Sequence, residues 1–368
     1  MAERNYHDQM NIDNAVKLRG LLEKLPPFCK DFFRGIEPTT SSRTRIAYAY
    51  DLRIFFEFLC HSNPSLKKTE VVDIKRELLD QIKPIDLEEY LEYLTYYKSE
   101  ENERINTENG KKRKLVSLRS FYSYYFKKEM IFTNPASLIN VPKLHEKEIV
   151  RLEIDEVARL LDEVETGDSM TPSQLKYHEK TKVRDLALMT LLLGTGIRVS
   201  ECVGLDINDV DFNNNGIKIR RKGGYEVIVY FGDEVCTALL SYLQERKQML
   251  PFEGHANALF LSMQMKRLNV RSIENLVKKY ASTITKLKKI TPHKLRSTYG
   301  TSLYRETGDI YLVADVLGHK DVNTTKKHYA AIEDSRRRSA AKVVKLREKM
   351  EKTSGAQIEE PPNNVQND

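Results

Sequence analysis

Most apolar residues of this chain recur at the three-to-four-residue spacing of amphipathic helices. In the first half, Pro26, Pro27 and Pro38 interrupt a helix-prone start. A helix is then predicted to begin between Thr39 and Ser42, where hydroxyl side chains can cap it. Further helices are predicted over 86–97, which opens with acidic residues, and over 109–128. The first half is therefore predicted to be helical.

The second half combines helices with one stretch of two-residue alternation. Apolar residues alternate with polar ones on both sides of Gly223-Gly224, a pattern typical of a β-hairpin over 216–231. Helices are predicted over 153–161, 183–193, 234–250, 270–283 and 294–306, and residues 165–180 are predicted to form a polar loop. The pattern as a whole predicts a mostly α protein with a small β-hairpin or sheet.

Proline and charge mark a boundary near the middle of the chain. Asn134-Pro135 and Val141-Pro142 precede a charged run over 143–147, which is typical of a linker. We predict an N-terminal extension over 1–29, a helical domain over 30–142, a linker over 143–151 and a second domain over 152–352. Residues 353–368 are rich in Asn, Pro, Glu and Gln and are predicted to be disordered.

Composition indicates a soluble globular protein, with 40% hydrophobic and 31% charged residues. The longest apolar stretch, 186–193, is too short to span a bilayer, and the polar N-terminus lacks the pattern of a signal peptide. We therefore expect no membrane association and a cytoplasmic location. The four cysteines are far apart, which favours reduced core residues over a zinc site.

The net charge of +7 is modest, but the cations are clustered. One run lies on the first turns of the helix predicted over 109–128, where cations oppose the helix dipole, so an external anion such as DNA phosphate would explain it. A solvated surface is the alternative for each cluster. The candidate DNA-binding residues are Lys111, Lys112, Arg113, Lys114, Arg220 and Arg221, and a further basic run occupies 336–338.

Three short motifs carry candidate chemistry. Arg198 follows the glycine turn Gly194-Thr195-Gly196 and begins a new helix, where helix N–H groups and a guanidinium both favour phosphate oxygens. His293 and Arg296 lie three residues apart behind Thr291-Pro292, a helix-starting pair, and are expected to share one face. Each motif is weak evidence by itself.

The third motif is Leu317-Gly318-His319, followed ten residues later by Tyr329. Gly318 is expected to end the helix that begins near Ile310, which places His319 just outside it. The chain has neither a Walker A sequence nor a His-Glu-x-x-His sequence. Neither a nucleotide site of that type nor such a metal site is therefore expected.

The order and spacing of these motifs, with a lysine in the hairpin between them, resemble the tyrosine recombinase (phage integrase) family. The resemblance covers about 152–342, and the overall plan is similar to that of Xer-type chromosomal recombinases, although mobile-element integrases share it. It implies an N-terminal helical core-binding domain of SAM-like fold and an α+β catalytic domain. It also implies site-specific DNA recombination through a 3′-phosphotyrosine intermediate.

The resemblance further implies a role for each matching residue. The arginines would bind the non-bridging oxygens of the scissile phosphate, the first histidine would accept the tyrosine proton, and the second would hold the phosphate. The lysine would protonate the departing 5′ oxygen, although its hairpin neighbours 220 and 221 are alternatives. The implied residues are Arg198 and Arg296, His293, His319, Lys222, the nucleophile Tyr329 and an acidic support, Glu201. Ser297 replaces a histidine that is common in the family.

The same resemblance implies partners but no cofactor. The expected partner is double-stranded DNA with inverted-repeat sites, bound by a homotetramer, with accessory proteins that set direction. Two alternatives remain open at this point. One is a type IB topoisomerase or telomere resolvase, which would use the same groups, and the other is a catalytically silent DNA-binding regulator.

Overall fold

Helices dominate both halves of the chain in the computed structural model, which describes residues 5–99, 102–143, 150–221, 223–319 and 322. The first half adds one short hairpin to its helices. Its elements are α1 (Tyr6–Leu22), α2 (Cys29–Gly35), α3 (Ser42–Ser62), α4 (Pro84–Tyr93), β1 (Tyr96–Ser99), β2 (Asn102–Ile105) and α5 (Glu108–Lys127).

The second half places an antiparallel sheet with strand order β3-β4-β5 among its helices. Its elements are α6 (Ile154–Thr166), α7 (Pro172–His178), α8 (Lys182–Thr195), α9 (Val199–Gly204), β3 (Val210–Asp211), β4 (Gly216–Arg220), β5 (Glu226–Tyr230), α10 (Asp233–Arg246), α11 (Val270–Ile284), α12 (Pro292–Thr307) and α13 (Ile310–Leu317). The prediction of a mostly α fold with a small sheet is confirmed.

Each half has its own hydrophobic core. The first core is aromatic: the Phe121 ring on α5 makes edge contacts with Phe32 and Tyr125 at centroid distances of 5.2 and 5.0 Å. In the second core α8 is central, and it packs against α6, α10 and α12. The β4–β5 pairs Ile217–Val229 and Ile219–Val227 line the same core, as the alternation predicted.

Several helix starts follow the capping pattern of the sequence. Ser41 caps α3, because its Oγ accepts a hydrogen bond from the Thr44 amide at 3.2 Å. Residues 165–180, predicted to be a loop, instead contain α7. Thr171 and Gln174 form a reciprocal capping box around Pro172, so a polar sequence with few apolar residues still begins a helix.

The helix predicted over 86–97 also differs, since α4 ends at Tyr93 and Tyr96 already belongs to β1. This first hairpin pairs Tyr96 with Ile105 and Lys98 with Glu103 across its two strands. The N-terminal extension predicted over 1–29 is part of the helical core, because Leu18, Leu25 and Cys29 are buried there. Most of the linker and the whole tail over 353–368 lie outside the described residues.

Helix α1 contacts both cores. Leu18 packs in the first core, whereas Tyr6 packs against the second. The Arg267 guanidinium lies 4.9 Å from the centroid of the Tyr6 ring, a cation–π distance. The first turn of α1 therefore joins the N-terminal helices to the second core.

The thiols of all four cysteines are free. Cys29 and Cys202 are buried, and the other two are partly exposed. Among the helices that the structure describes, none combines the length and the apolarity needed to cross a bilayer.

Candidate active site

The carboxyl end of α13 is the point on which the site is built. Gly318 adopts the left-handed conformation with φ 61°, and its amide donates to the Asp315 carbonyl at 2.8 Å. The His319 amide donates to the Ala314 carbonyl at 2.8 Å. These two bonds form a Schellman motif. They leave the carbonyls of residues 316, 317 and 318 to be satisfied by other groups.

Three arginines donate to these three carbonyls. Arg221 Nη2 donates to the Val316 oxygen at 2.8 Å. Arg296 Nη2 donates to the oxygen of residue 317, and Arg198 Nη2 lies 3.3 Å from that of residue 318. The carboxyl end of a helix carries partial negative charge, which favours cations there. The guanidinium groups come from the hairpin, from α12 and from the start of α9, so the helix end brings three separate elements together.

Arg198 is also held from behind by Glu201. The carboxylate accepts from the Arg198 backbone amide at 2.7 Å and from Nη1 at 2.8 Å. The Glu201 side chain is 4% exposed, whereas that of Arg198 is 35% exposed. One edge of the guanidinium is therefore fixed by protein groups, while the side chain still reaches solvent, where an anion can bind.

Arg296 is buried and links α12 to the end of α8. Its Nη1 donates to the Gly196 carbonyl. Gly196 has φ 61°, and a Cβ there would lie 2.4 Å from the Tyr299 ring. Both the conformation and the close approach of Tyr299 require glycine, which explains the glycine turn seen in the sequence.

His293 lies on the first turn of α12 and is exposed, unlike Arg296 one turn later. The two side chains therefore differ in environment despite the three-residue spacing that was expected to place them on one face. Pro292 occupies the first position of the helix as predicted, but the Thr291 side chain makes no capping hydrogen bond. Ser297 donates from Oγ to the His293 carbonyl at 3.1 Å.

His319 is partly buried and directly follows the Schellman glycine. The site residues predicted at Lys222 and Tyr329 lie outside the described residues, as does the basic run over 336–338. Both chain neighbours of Lys222, Arg221 and Gly223, are described, whereas the described residue nearest to Tyr329 is Val322.

The basic run on α5 has internal partners. Arg113 Nη1 lies 2.5 Å from a carboxylate oxygen of Asp51, a buried residue of α3. Lys114 is buried, its ammonium donates to the Asn106 side chain at 2.8 Å, and burial lowers its pKa. The Lys111 ammonium lies 3.4 Å from a carboxylate oxygen of Glu108. Arg113 and Lys114 thus have partners inside the protein, and the expected contact of this basic run with DNA stays a prediction.

The two hairpin arginines differ in exposure and in their hydrogen-bond partners. Arg220 is partly exposed, and its Nε donates to the Gly224 carbonyl at 3.3 Å. Arg221 is 6% exposed and is directed at α13. Its guanidinium is enclosed by protein groups, and the expected contact of Arg221 with DNA stays a prediction. Sequence reasoning missed its role at the helix end.

The arginines at the carboxyl end of α13 indicate what kind of ligand the site can bind. Guanidinium groups held by carbonyls and by a buried carboxylate form a preorganised receptor for a tetrahedral anion such as phosphate. Within the described ranges, no group of three His, Cys, Asp or Glu residues is placed to hold a metal ion. The arrangement is therefore a candidate phosphate site built from arginines on a mostly helical fold.

Comparisons with known proteins give the family. The model of the phage integrase family matches residues 150–336. A tyrosine recombinase XerC from Caldanaerobacter subterraneus is 33% identical over 327 residues, which cover 86% of this chain and 86% of the relative. The chain belongs to the phage integrase family, the tyrosine recombinases.

Solved structures agree in fold. The XerH site-specific recombinase bound to palindromic difH substrate gives a TM-score of 0.60 at 22% identity, over 82% of this chain and 79% of that one. The Tn1549 transposon integrase with circular intermediate DNA gives 0.60 at 22% identity, over 85% and 98%. The protein is an Xer-like site-specific recombinase, a DNA strand transferase. This activity is favoured over the topoisomerase and regulator alternatives.

Proposed function

We propose that this recombinase cleaves DNA with Tyr329 as the nucleophile, at a phosphate bound by Arg198 and Arg296. The observation that carries the proposal is the meeting of both arginines at the carboxyl end of α13. His319 follows that helix end directly, and Tyr329 lies ten residues further along the chain. The helix end at which the arginines meet, His319 and the proposed nucleophile therefore belong to one segment of sequence.

The chemistry of the step assigns the remaining groups. The Tyr329 oxygen attacks phosphorus and forms the 3′-phosphotyrosine bond as the bond from phosphorus to the 5′ oxygen breaks. His293 accepts the phenol proton, and Lys222 donates a proton to the 5′ oxygen that leaves. His319 and the two arginines hold the non-bridging oxygens, where charge develops. Because an ordinary tyrosine has a pKa near 10, only about one in a thousand is ionised at neutral pH, so the base and the cations are needed.

The reaction conserves the energy of the phosphodiester bond. The phosphotyrosine bond replaces one phosphoester by another, and a 5′ hydroxyl from the second DNA strand reverses the attack. Religation therefore needs no nucleotide hydrolysis, and we propose that the enzyme works without a cofactor.

The proposed partner is duplex DNA that contains inverted-repeat sites. The palindromic substrate of the XerH structure supports this form of target. Two such sites would be bound by a homotetramer, with accessory proteins that set the direction. Integration, excision and resolution of chromosome dimers use the same strand-transfer chemistry and differ in the arrangement of the sites.

The test is a suicide substrate, whose nick lets the cleaved strand diffuse away and traps the covalent complex. Tyr329→Phe should bind the DNA as the wild type does and give no shifted band on a denaturing gel, because only the nucleophilic oxygen is removed. Tyr311→Phe is the matched control, since Tyr311 is 71% exposed on α13, and it should give the wild-type adduct. An adduct from Tyr329→Phe would refute the assignment.

A further inference from the structure

Arg221 is buried although it lies at the edge of an exposed turn. It is 6% exposed, whereas the glycines at 223 and 224 are exposed. The alternation of β4 explains this difference. Ile217 and Ile219 are directed inward, Lys218 is exposed, and the next inward position is 221.

The Arg221 guanidinium fits closely against the Schellman motif. A Cβ on Gly318 would lie 1.2 Å from Nη1 of Arg221, so the guanidinium occupies the space that any other residue at 318 would need. Nη2 donates to the Val316 carbonyl at 2.8 Å. The side chain thus packs directly on the helix end that also holds the two phosphate-binding arginines.

This placement is costly for stability alone. The acceptor of Arg221 is a neutral carbonyl rather than a carboxylate, and its Nε is buried without a hydrogen-bond partner among the residues that the structure describes. A buried cation with incomplete hydrogen bonding is usually destabilising relative to an apolar side chain of similar size. A functional reason for the arginine is therefore indicated.

The backbone of Arg221 controls the turn. Its amide donates to the Tyr225 carbonyl at 3.0 Å, and its carbonyl accepts from the Gly224 amide at 3.0 Å. Gly223 and Gly224 have φ values of 105° and 88°, which glycine adopts at low cost. Arg221 is thus held both to the hairpin and to α13. The next residue in the chain is Lys222.

We propose that Arg221 is a positioning residue for Lys222. It anchors the base of the hairpin turn on the carboxyl end of α13, so that the lysine is presented to the phosphate held by Arg198 and Arg296. This inference rests on the proposed role of Lys222 as the general acid. It assigns Arg221 no contact with DNA.

A sulfur-substituted substrate separates positioning of the acid from other effects. A thiolate leaves without much help from a proton, so DNA with sulfur in place of the bridging 5′ oxygen needs little general acid. Lys222→Ala should cleave ordinary DNA about 10²- to 10⁴-fold more slowly than the wild type does. It should cleave the sulfur substrate at nearly the wild-type rate. Arg221→Ala should show the same pattern with a loss of about 10²-fold, the lower end of that range.

Two further variants sharpen the comparison. Arg221→Gln keeps an amide that can donate to the Val316 carbonyl and should recover part of the rate on ordinary DNA. Lys218→Ala, a cation of the same hairpin on its exposed side, should match the wild type on both substrates. If Arg221→Ala fails to fold in a thermal unfolding assay, Arg221→Gln and Arg221→Lys carry the same comparison of substrates.

The outcomes distinguish the inference from the proposed function. If Lys222→Ala is rescued by sulfur but the Arg221 variants are slow on both substrates, Arg221 acts on the phosphate site or the fold, and the inference is wrong. Wild-type rates for Arg221→Ala on both substrates would also overturn it. If Lys222→Ala is not rescued, the general acid is elsewhere and the proposed function fails at that residue, together with the inference that rests on it.

Discussion

Glu201 holds Arg198 at two points, because one carboxylate oxygen accepts from its backbone amide and the other from its guanidinium. The first contact fixes the start of α9, and the second fixes the orientation of the side chain. Glu201 is buried, so this pair has little competition from water. The direction of the Arg198 guanidinium is thereby set by a residue three positions away.

Glu201→Gln should slow cleavage about ten- to a hundredfold, since a hydrogen bond to a charged group contributes about 1.5–3 kcal/mol. The amide keeps one acceptor but no charge. Single-turnover cleavage of a suicide substrate measures the effect, and sulfur at the bridging position should not restore the rate. Glu274→Gln, at a partly exposed glutamate of α11, is the control. Equal rates for Glu201→Gln and the wild type would contradict the role.

Gly318→Ala should abolish most cleavage and destabilise the fold. The left-handed conformation costs an alanine about 1–2 kcal/mol, and the new Cβ would displace the Arg221 guanidinium. Gly254→Ala is a matched control, because Gly254 has φ 76° with no atom within 4 Å of the added carbon. Chemical denaturation should show a lower free energy of unfolding for both variants, because each places alanine in the left-handed conformation. Cleavage should fall only for Gly318→Ala.

Cleavage should persist in excess EDTA. The negative charge that develops on the phosphate is balanced by the guanidinium groups of Arg198 and Arg296, so the proposed step needs no metal ion. Covalent adduct formation, measured with and without the chelator, checks this expectation. Activity that is lost in EDTA and restored by magnesium or zinc would show that the assignment is incomplete.

Limited proteolysis without DNA should cut first between residues 140 and 151. We expect cleavage there because the sequence between the two hydrophobic cores is charged and marked by prolines, as in a linker. Mass spectrometry of the fragments would locate the cuts, and two stable fragments are expected. First cuts inside 183–231 would mean that the boundary between the domains lies elsewhere.

Alkylation should distinguish the four cysteines in the folded protein. Burial raises the pKa of Cys202 to about 12 and also raises the pKa of the Cys29 thiol, so neither should react at pH 8. Cys60 and Cys236 are partly exposed and should be modified, Cys60 more slowly because partial burial raises the pKa of its thiol. Peptide mapping after brief iodoacetamide treatment gives the result. Rapid modification of Cys202 would show that the second core opens easily.

The helices that bury one face against the core were predictable from the sequence. The helix predicted from 109 to 128 is observed from Glu108 to Lys127, because its apolar residues keep one spacing throughout. The β1–β2 hairpin was missed, since each strand has only four residues and Tyr97 continues the apolar spacing of the preceding helix. Helix α7 was missed because its capping box is a local signal without an apolar stripe.

The candidate site residues were chosen from motif order, whereas their contacts could not be predicted from the sequence. The alternation through Ile217 and Ile219 already places Arg221 inward, so its burial could have been inferred from the sequence. Its acceptor at Val316 could not, because no local pattern relates residues so distant in the chain. The same holds for Lys114 and Arg113, whose proximity to Asp51 depends on how α3 and α5 pack.

The Schellman motif at Gly318 also has a consequence for the entropy of DNA binding. An arginine side chain carries about 2 kcal/mol of rotamer entropy, which is lost whenever the side chain is ordered. The carbonyls of residues 316–318 order three such side chains when the protein folds. This side-chain entropy is therefore lost when the protein folds. A phosphate that binds at the site contacts side chains whose motion is already restricted.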